Sequence, residues 1–479
     1  MTETTSSAPA KEPGTAATLF SVAALLASVA FLLMGHGLQQ TVLPIRGGIE
    51  GFSSVEVGLL GSCYFAGYVA GCVAGPRIII RAGHIRTFAA LVAVASSASL
   101  AHAIVVDPIP WMICRAVTGF CLAGLYLVIE SWLNERATNR TRGTIMSAYI
   151  TVNLTVITIG QMIVPLFNPQ SFVQLSIASI LVSLAAVPVA LTRAEQPAPV
   201  TLVRFRPRAL FRLSPAGVAG TFMVGVANGS FWALGPVYGQ QLGLSVAEIA
   251  GFMSLAVIGG AVAQYPLGLL SDRMDRRFVM MGISVATILF GTLLSGVIPL
   301  DGTASLVVAF LFGAALMPGY TVAAAHVYDR GTPESFVEIS AGLLLLNGVG
   351  SVIGPLPASA AMEALGPGAL FGAVAIAHVL LLAYLVLRRQ QREAVAVEDR
   401  TVYNAANAAP VMTIGDPGAV EESPLVVDPT EPVPQEIPET LPVDGPDEVS
   451  PPAKAEEAGE TGAAGEAGTD TPKPPSASS

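Results

Sequence analysis

The sequence predicts an all-α membrane protein: twelve transmembrane helices in two six-helix pseudo-symmetric bundles, with a disordered acidic C-terminal tail. Three observations predict it. Twelve long apolar runs divide the first 388 residues, the second half repeats marks of the first at an offset of about 192 to 194 residues, and arginines gather in every other loop. Hydrophobic residues make up 52% of the chain and charged residues 12%, against about 25% charged in soluble globular chains.

Residues 1–16 are rich in Ser, Thr, Ala and Pro and carry one Lys. They lack the basic stretch and early apolar core of a cleaved signal peptide, so they read as a disordered N-terminus before an uncleaved first span. A crossing takes about 20 apolar residues for roughly 30 Å of hydrocarbon. Runs at 19–43, 54–79, 86–106, 110–133, 143–166 and 171–192 form the first bundle, 17–192. The linker, 193–212, holds five arginines. Runs at 214–238, 248–270, 277–298, 303–326, 337–360 and 367–388 form the second bundle, 213–388. Residues 389–479 carry 18 acids against 5 bases, a net of −13; the whole chain is −10, so the first 388 residues are +3. A tail of Pro, Glu, Ala and Gly cannot bury enough apolar surface to fold alone.

Loops after the even spans, with the end of span twelve, carry eighteen arginines, whereas loops after the odd spans carry Arg46 alone. Basic loops stay in the cytoplasm, so both termini are expected there. Trp111 and Trp132, near opposite ends of span four, are expected as interfacial anchors. Cys63, Cys72, Cys114 and Cys121 lie in spans two and four and read as unpaired, small, buried residues. His102 and His378 read as peripheral.

The repeat is visible in polar and small residues. Asn153 and Gly160 in span five match Asn347 and Gly354 in span eleven; Gly119 matches Gly313, and Gly35 matches Gly229. Parallel repeats about an axis along the membrane normal place a cavity at their interface near mid-membrane. Gly67, Gly71 and Gly75 in span two, and Gly342, Gly350 and Gly354 in span eleven, allow close helix contact.

Polar side chains inside spans are costly and mark candidate sites. Arg115, in span four, could snorkel to the surface, bind an anionic substrate or tune a proton site. His36 could carry a coupling proton or be a hydrogen-bonded structural histidine. Gln39, Gln40, Asn153, Gln161, Asn228, Trp232, Gln264, Tyr320 and Asn347 could line the cavity. Each could equally make an interhelical hydrogen bond worth about 1 kcal/mol. His326 ends span ten close to Asp329, where a pair could form.

Between spans eight and nine stand Gly268, Asp272, Arg273, Asp275, Arg276 and Arg277. The segment resembles the loop pattern G-x-L-x-D-R-x-G-R-R of the major facilitator superfamily, with Asp275 in place of the second glycine. Arg115 and Gly119 resemble that superfamily's R-x-x-x-G. The resemblance covers residues 15–390. Leu43 to Arg46, Glu50 to Ser53, Gly83 to Arg86 and Glu130 to Arg136 look like its YcaD-like branch of bacterial permeases. The resemblance implies the superfamily fold, an inner-membrane secondary transporter and a cytoplasmic latch. Candidate latch residues are Gly268, Asp272, Arg273, Arg276 and Arg277, with Arg81, Arg86, Glu130 and Glu135 across from them. The glycine–proline pair expected of drug/proton antiporters in span five is missing, since Gln161 follows Gly160.

No phosphate-binding glycine loop, H-E-x-x-H motif or thiolate zinc spacing occurs. No enzyme chemistry, metal, cofactor or nucleic acid is expected. The expected function is secondary transport of a small-molecule substrate by alternating access, coupled to protons. The alternative is a non-transporting sensor or scaffold whose tail binds a cytoplasmic partner.

Overall fold

Twelve helices are long and apolar enough to cross a bilayer: Ala23–Ile49, Ser54–Ala82, His84–Ile104, Pro108–Arg136, Gly143–Leu166, Val173–Leu191, Pro215–Gln241, Val246–Arg273, Arg276–Leu294, Gly302–Tyr328, Phe336–Leu365 and Ala369–Arg389. They are spans one to twelve. This computed structural model describes residues 19–20, 22–137, 141–191, 206–298, 302–332 and 335–389. The N-terminus 1–16, linker residues 193–205 and the tail from 390 lie outside the described residues.

Helices are forced by the solvent. Hydrocarbon offers backbone groups no partner, so a span must satisfy its own hydrogen bonds. Starts are capped where the sequence supplies oxygen. Ser53 and Glu56 close a capping box on span two, and Ser245 and Glu248 repeat it on span eight. Asp107 caps span four ahead of Pro108. Breaks fall at proline: span ten is interrupted before Gly319 by Pro318, and span eleven at Gly354 and Pro355. Span one differs from expectation, running on through Pro44 to Ile49. Pro44 is buried among neighbouring helices, where a lost backbone bond is tolerated.

Glycine sets the packing within each half. A methyl added at Gly119 would collide with the Tyr64 carbonyl, and one at Gly313 with the Ala256 carbonyl. Gly67 meets Ala116 as Gly259 meets Phe310; Gly160 meets Met34 as Gly354 meets Val226. Gly37 meets Ile157 as Gly229 meets Ser351. These pairs fix the equivalence of the halves. Spans one and two map onto seven and eight at an offset of 192, and spans four and five onto ten and eleven at 194. Gly37 is therefore the counterpart of Gly229. Gly35, the match suggested by sequence, instead packs against Ala178 of span six.

Two other expectations are corrected. Trp111 and Trp132 are fully buried rather than interfacial. Trp111 donates from Nε1 to the Val105 carbonyl at 2.6 Å, and Trp132 packs beside His84. His102 and His378 are likewise buried, not peripheral. The His102 Nδ1 lies 2.6 Å from the Ala98 carbonyl, and the His378 Nδ1 lies 3.3 Å from Ser284 Oγ. In both histidines the apolar ring fills the bundle while one nitrogen finds a helix partner. The four cysteines are unpaired.

Close approach at glycine makes a prediction. Gly119→Val and Gly313→Val should each force two backbones apart, costing about 1–3 kcal/mol, read as a lower melting temperature of the purified protein in detergent. Gly251→Ala, whose methyl meets nothing within 4 Å, should leave it unchanged or raise it. Equal behaviour of all three would contradict this packing.

Candidate functional site

The two halves meet across span pairs one and seven, two and seven, two and eleven, and five and eight. Four hydrogen bonds among the described residues cross between them. Gln240 Nε2 donates to the Ile45 carbonyl (3.2 Å), Gln241 Nε2 to Ser54 Oγ (2.9 Å), the Ser54 amide to Glu363 Oε2 (3.1 Å) and Ser254 Oγ to Gln161 Oε1 (3.1 Å). All four lie toward the Arg-poor end. Gly58 lies against Ser359 there, and Gly61 against Ala233. Arg46, the exception among the Arg-poor loops, is structural: it pairs with Glu50 and donates to the Pro169, Gln170 and Ser171 carbonyls.

Below this closure lies a central cavity of about 130 Å³ lined from both halves. His36, Gln40, Asn153, Asn228, Trp232 and Gln264 line it. Polar residues in apolar runs find the cavity because helix phase turns them inward from spans one, five, seven and eight. Tyr64, Phe65, Ile150, Leu154, Ile157, Val257 and Met317 also line it and carry no signal in the sequence that separates them from core residues. Tyr64 Oη lies 3.3 Å from His36 Nε2, and the two rings stack at 5.5 Å. Gln264 Nε2 donates to Thr321 Oγ1 at 2.8 Å.

Other candidates stand outside the lining. Arg115 is 4% exposed, so it does not snorkel. Its Nη2 donates to Gln40 Oε1 at 2.8 Å, and its guanidinium lies 4.3 Å from the centre of the Tyr64 ring. It sits one side chain behind the cavity wall. Gln39, Tyr320 and Asn347 are buried and do not line the cavity. The Asn347 backbone carbonyl packs against Gly225 of span seven. His326 does not pair with Asp329. Arg330 Nη1 lies 3.1 Å from the His326 carbonyl, while Asp329 accepts from Arg276.

The charged loop folds back into its own half. Buried Arg276 binds Asp329 at 2.8 Å, Asp272 at 3.3 Å and Ser271 Oγ at 3.0 Å. Gly268 lies in span eight, its carbonyl accepting from Ser271 Oγ. Glu130 is buried, accepting from Tyr149 Oη at 3.3 Å within the first half, rather than exposed at a latch. Arg81, Arg86, Glu135 and Arg273 are exposed and enter none of the ion pairs found among the described residues.

Comparison with known proteins decides the family. The family model described as Major Facilitator Superfamily matches residues 13–332 and 217–413. The chain belongs to the Major Facilitator Superfamily. It is similar to the MFS-type transporter YcaD of Escherichia fergusonii, 27% identical over 77% of this chain and 95% of that protein. An MFS-type transporter of Yersinia pestis is 27% identical over 76% of this chain and 94% of its own length. Among solved structures, the nucleoside transporter NupG superposes with a TM-score of 0.63 at 16% identity, covering 78% of this chain and 99% of that one. An inward-facing bacterial homolog of the human lysosomal transporter Spinster gives 0.64 at 14% identity, covering 80% and 98%. These two likenesses carry the fold. Membership makes the chain a multi-pass membrane transporter rather than an enzyme.

Where the superfamily's loop pattern has glycine, this chain has Asp275, and the structure gives it a job. Asp275 caps span nine by accepting from the Arg277 amide at 3.0 Å, and pairs with the Arg277 guanidinium at 2.8 Å. Burial pushes its carboxyl upward, but the hydrogen bonds and charge of Arg277 outweigh this and hold it below the usual carboxylate range. Stabilisation by that charge is therefore present above about pH 4 and fades as pH falls through the folded value. The melting-temperature gap between the wild type and Asp275→Asn should be widest near neutral pH and narrow below about pH 4. Asp275→Ala should lose about 1 kcal/mol more, for the cap. A gap that widens in acid would reverse this assignment.

Proposed function

We propose that the protein is a secondary transporter of the bacterial inner membrane that moves a small solute by alternating access, coupled to protons. The observation that carries this reading is a central cavity lined by both halves beneath inter-half hydrogen bonds at the Arg-poor end. With the Arg-rich loops and both termini in the cytoplasm, the arrangement is inward-facing. Rocking one half against the other would break the four bonds and open the cavity outward. Exposed Arg81, Arg86, Glu135 and Arg273 would then approach across the Arg-rich end, with Asp272 exchanging its partner. That is how the latch would close. His36, at the cavity wall and bonded to Tyr64, would carry the coupling proton. With no nucleotide-binding motif in the sequence, a gradient would supply the energy.

Two measurements test this. Spin labels at Glu50 and Leu242, exposed at the Arg-poor end, should give two distance populations in liposomes. A second pair at Arg81 and Arg273 should shorten as the first lengthens. One unchanging distance at both ends would favour a static scaffold. A solute identified by thermal-shift screening should accumulate in proteoliposomes under an imposed pH gradient. His36→Gln should lose accumulation but keep solute exchange; unchanged accumulation would remove His36 from the proton path.

A further inference from the structure

The halves are equivalent in backbone but not in chemistry. Under the glycine-fixed equivalence, His36 corresponds to Asn228, Gln40 to Trp232, Tyr64 to Ala256 and Arg115 to Ala309. One wall of the cavity thus carries a histidine, an amide and a phenol backed by a guanidinium. The facing wall carries the Trp232 indole, the amides of Asn228 and Gln264, and apolar Val257, Ala261 and Met317, with no cation. The asymmetry has a direction, cationic toward spans one, two and four, and with the flat Trp232 indole toward span seven.

Arg115 is the unusual member. It lies seven residues into span four from Pro108, roughly 10 Å along the helix. None of the ion pairs among the described residues includes it, and its buried Nη1 has no hydrogen-bond partner among them. No Asp or Glu lines the cavity. The acids on or capping its own span, Asp107, Glu130 and Glu135, are eight, fifteen and twenty residues from it, roughly 12, 22 and 30 Å along the helix at 1.5 Å per residue. A permanent cation inside a membrane span, without a counter-charge, is costly. Its one direct hydrogen bond also sets the amide beside it. A guanidinium only donates, so Gln40 must turn its oxygen to Arg115 and its NH2 group away. Gln40 lines the cavity, and its Nε2 makes no hydrogen bond among the described residues.

We infer that the cavity selects an organic anion with a flat apolar body. The anionic head sits at Gln40 Nε2 in the field of Arg115, and the body lies against Trp232. This rests on the transport reading above and names the class of solute. A cation would meet the Arg115 charge with no acid to offset it. An uncharged solute of the same shape would keep the Trp232 contact but leave the guanidinium without a counter-charge.

Equilibrium binding to the purified full-length protein tests it with three probes of one shape: 1-naphthoate, uncharged 1-naphthamide and cationic 1-naphthylmethylamine. Naphthoate should bind at least tenfold more tightly than the amide, about 1.4 kcal/mol, and the amine more weakly still. Arg115→Gln should erase the preference for naphthoate over the amide, and Arg115→Lys should retain part of it. Trp232→Leu should weaken naphthoate and naphthamide alike. Equal or tighter binding of the amide or amine, no binding of naphthoate, or an unchanged preference in Arg115→Gln overturns the inference. If Arg115→Gln fails to fold, the wild-type ratios decide. Proteoliposome uptake separates the two readings. Uptake of a neutral or cationic solute without naphthoate binding keeps transport and overturns anion selection. Naphthoate binding with no movement across the bilayer keeps the anion site and overturns transport.

Discussion

Contact between a glycine and a neighbouring helix carbonyl is the interaction on which this structure depends. In lipid, helices gain nothing by hiding apolar side chains from one another, because the tails are as apolar as leucine. Association must come from dispersion between closely approaching backbones. Gly67, Gly119 and Gly160 supply it in the first half, and Gly259, Gly313 and Gly354 in the second. Each half thereby becomes a rigid body. A rigid body can move as a unit, so the cavity between the halves can change its exposure without either half repacking.

Against that rigid frame the interface between halves is modest. Its hydrogen bonds are mostly from Gln and Ser side chains, and one, from Ser54 to Glu363, joins a helix start in one half to a carboxylate in the other. The neutral ones contribute about 1 kcal/mol each, and the one to the Glu363 carboxylate about 1.5–3 kcal/mol. The ion pairs of Arg276 with Asp272 and Asp329 lie within the second half. The ion pairs lie inside each half, and what crosses between the halves is a small set of hydrogen bonds, an arrangement suited to the reversible closure proposed above.

The sequence made the spans legible because a membrane helix writes itself as an uninterrupted apolar run. Its ends were less so: the apolar run of span one was read as ending before Pro44, whereas the helix continues through that buried proline to Ile49. Trp111 and Trp132 were misplaced because depth in the bilayer can be read from position along a span, while the direction of a side chain cannot. The same limit divided the candidate site. His36, Gln40, Asn153, Asn228, Trp232 and Gln264 turn to the cavity, whereas Gln39 and Asn347, equally conspicuous as polar residues, are buried outside its lining. Neighbours in sequence such as Gln39 and Gln40 differ by about 100° of helix rotation. Tyr64 escaped notice since an aromatic in an apolar run looks like core.

The offset between the halves changes from 192 to 194 somewhere between spans two and four of the first half and their counterparts. Two residues inserted within a helix would turn everything after them by about 200°. Such a turn would carry Gly313 away from Ala256 and Gly354 away from Val226. Those pairs are intact, so the length difference was absorbed before span ten without disturbing helix phase. The joints between spans are therefore where this architecture can grow or shrink, while inside the packed spans its rotational register tolerates no change of length.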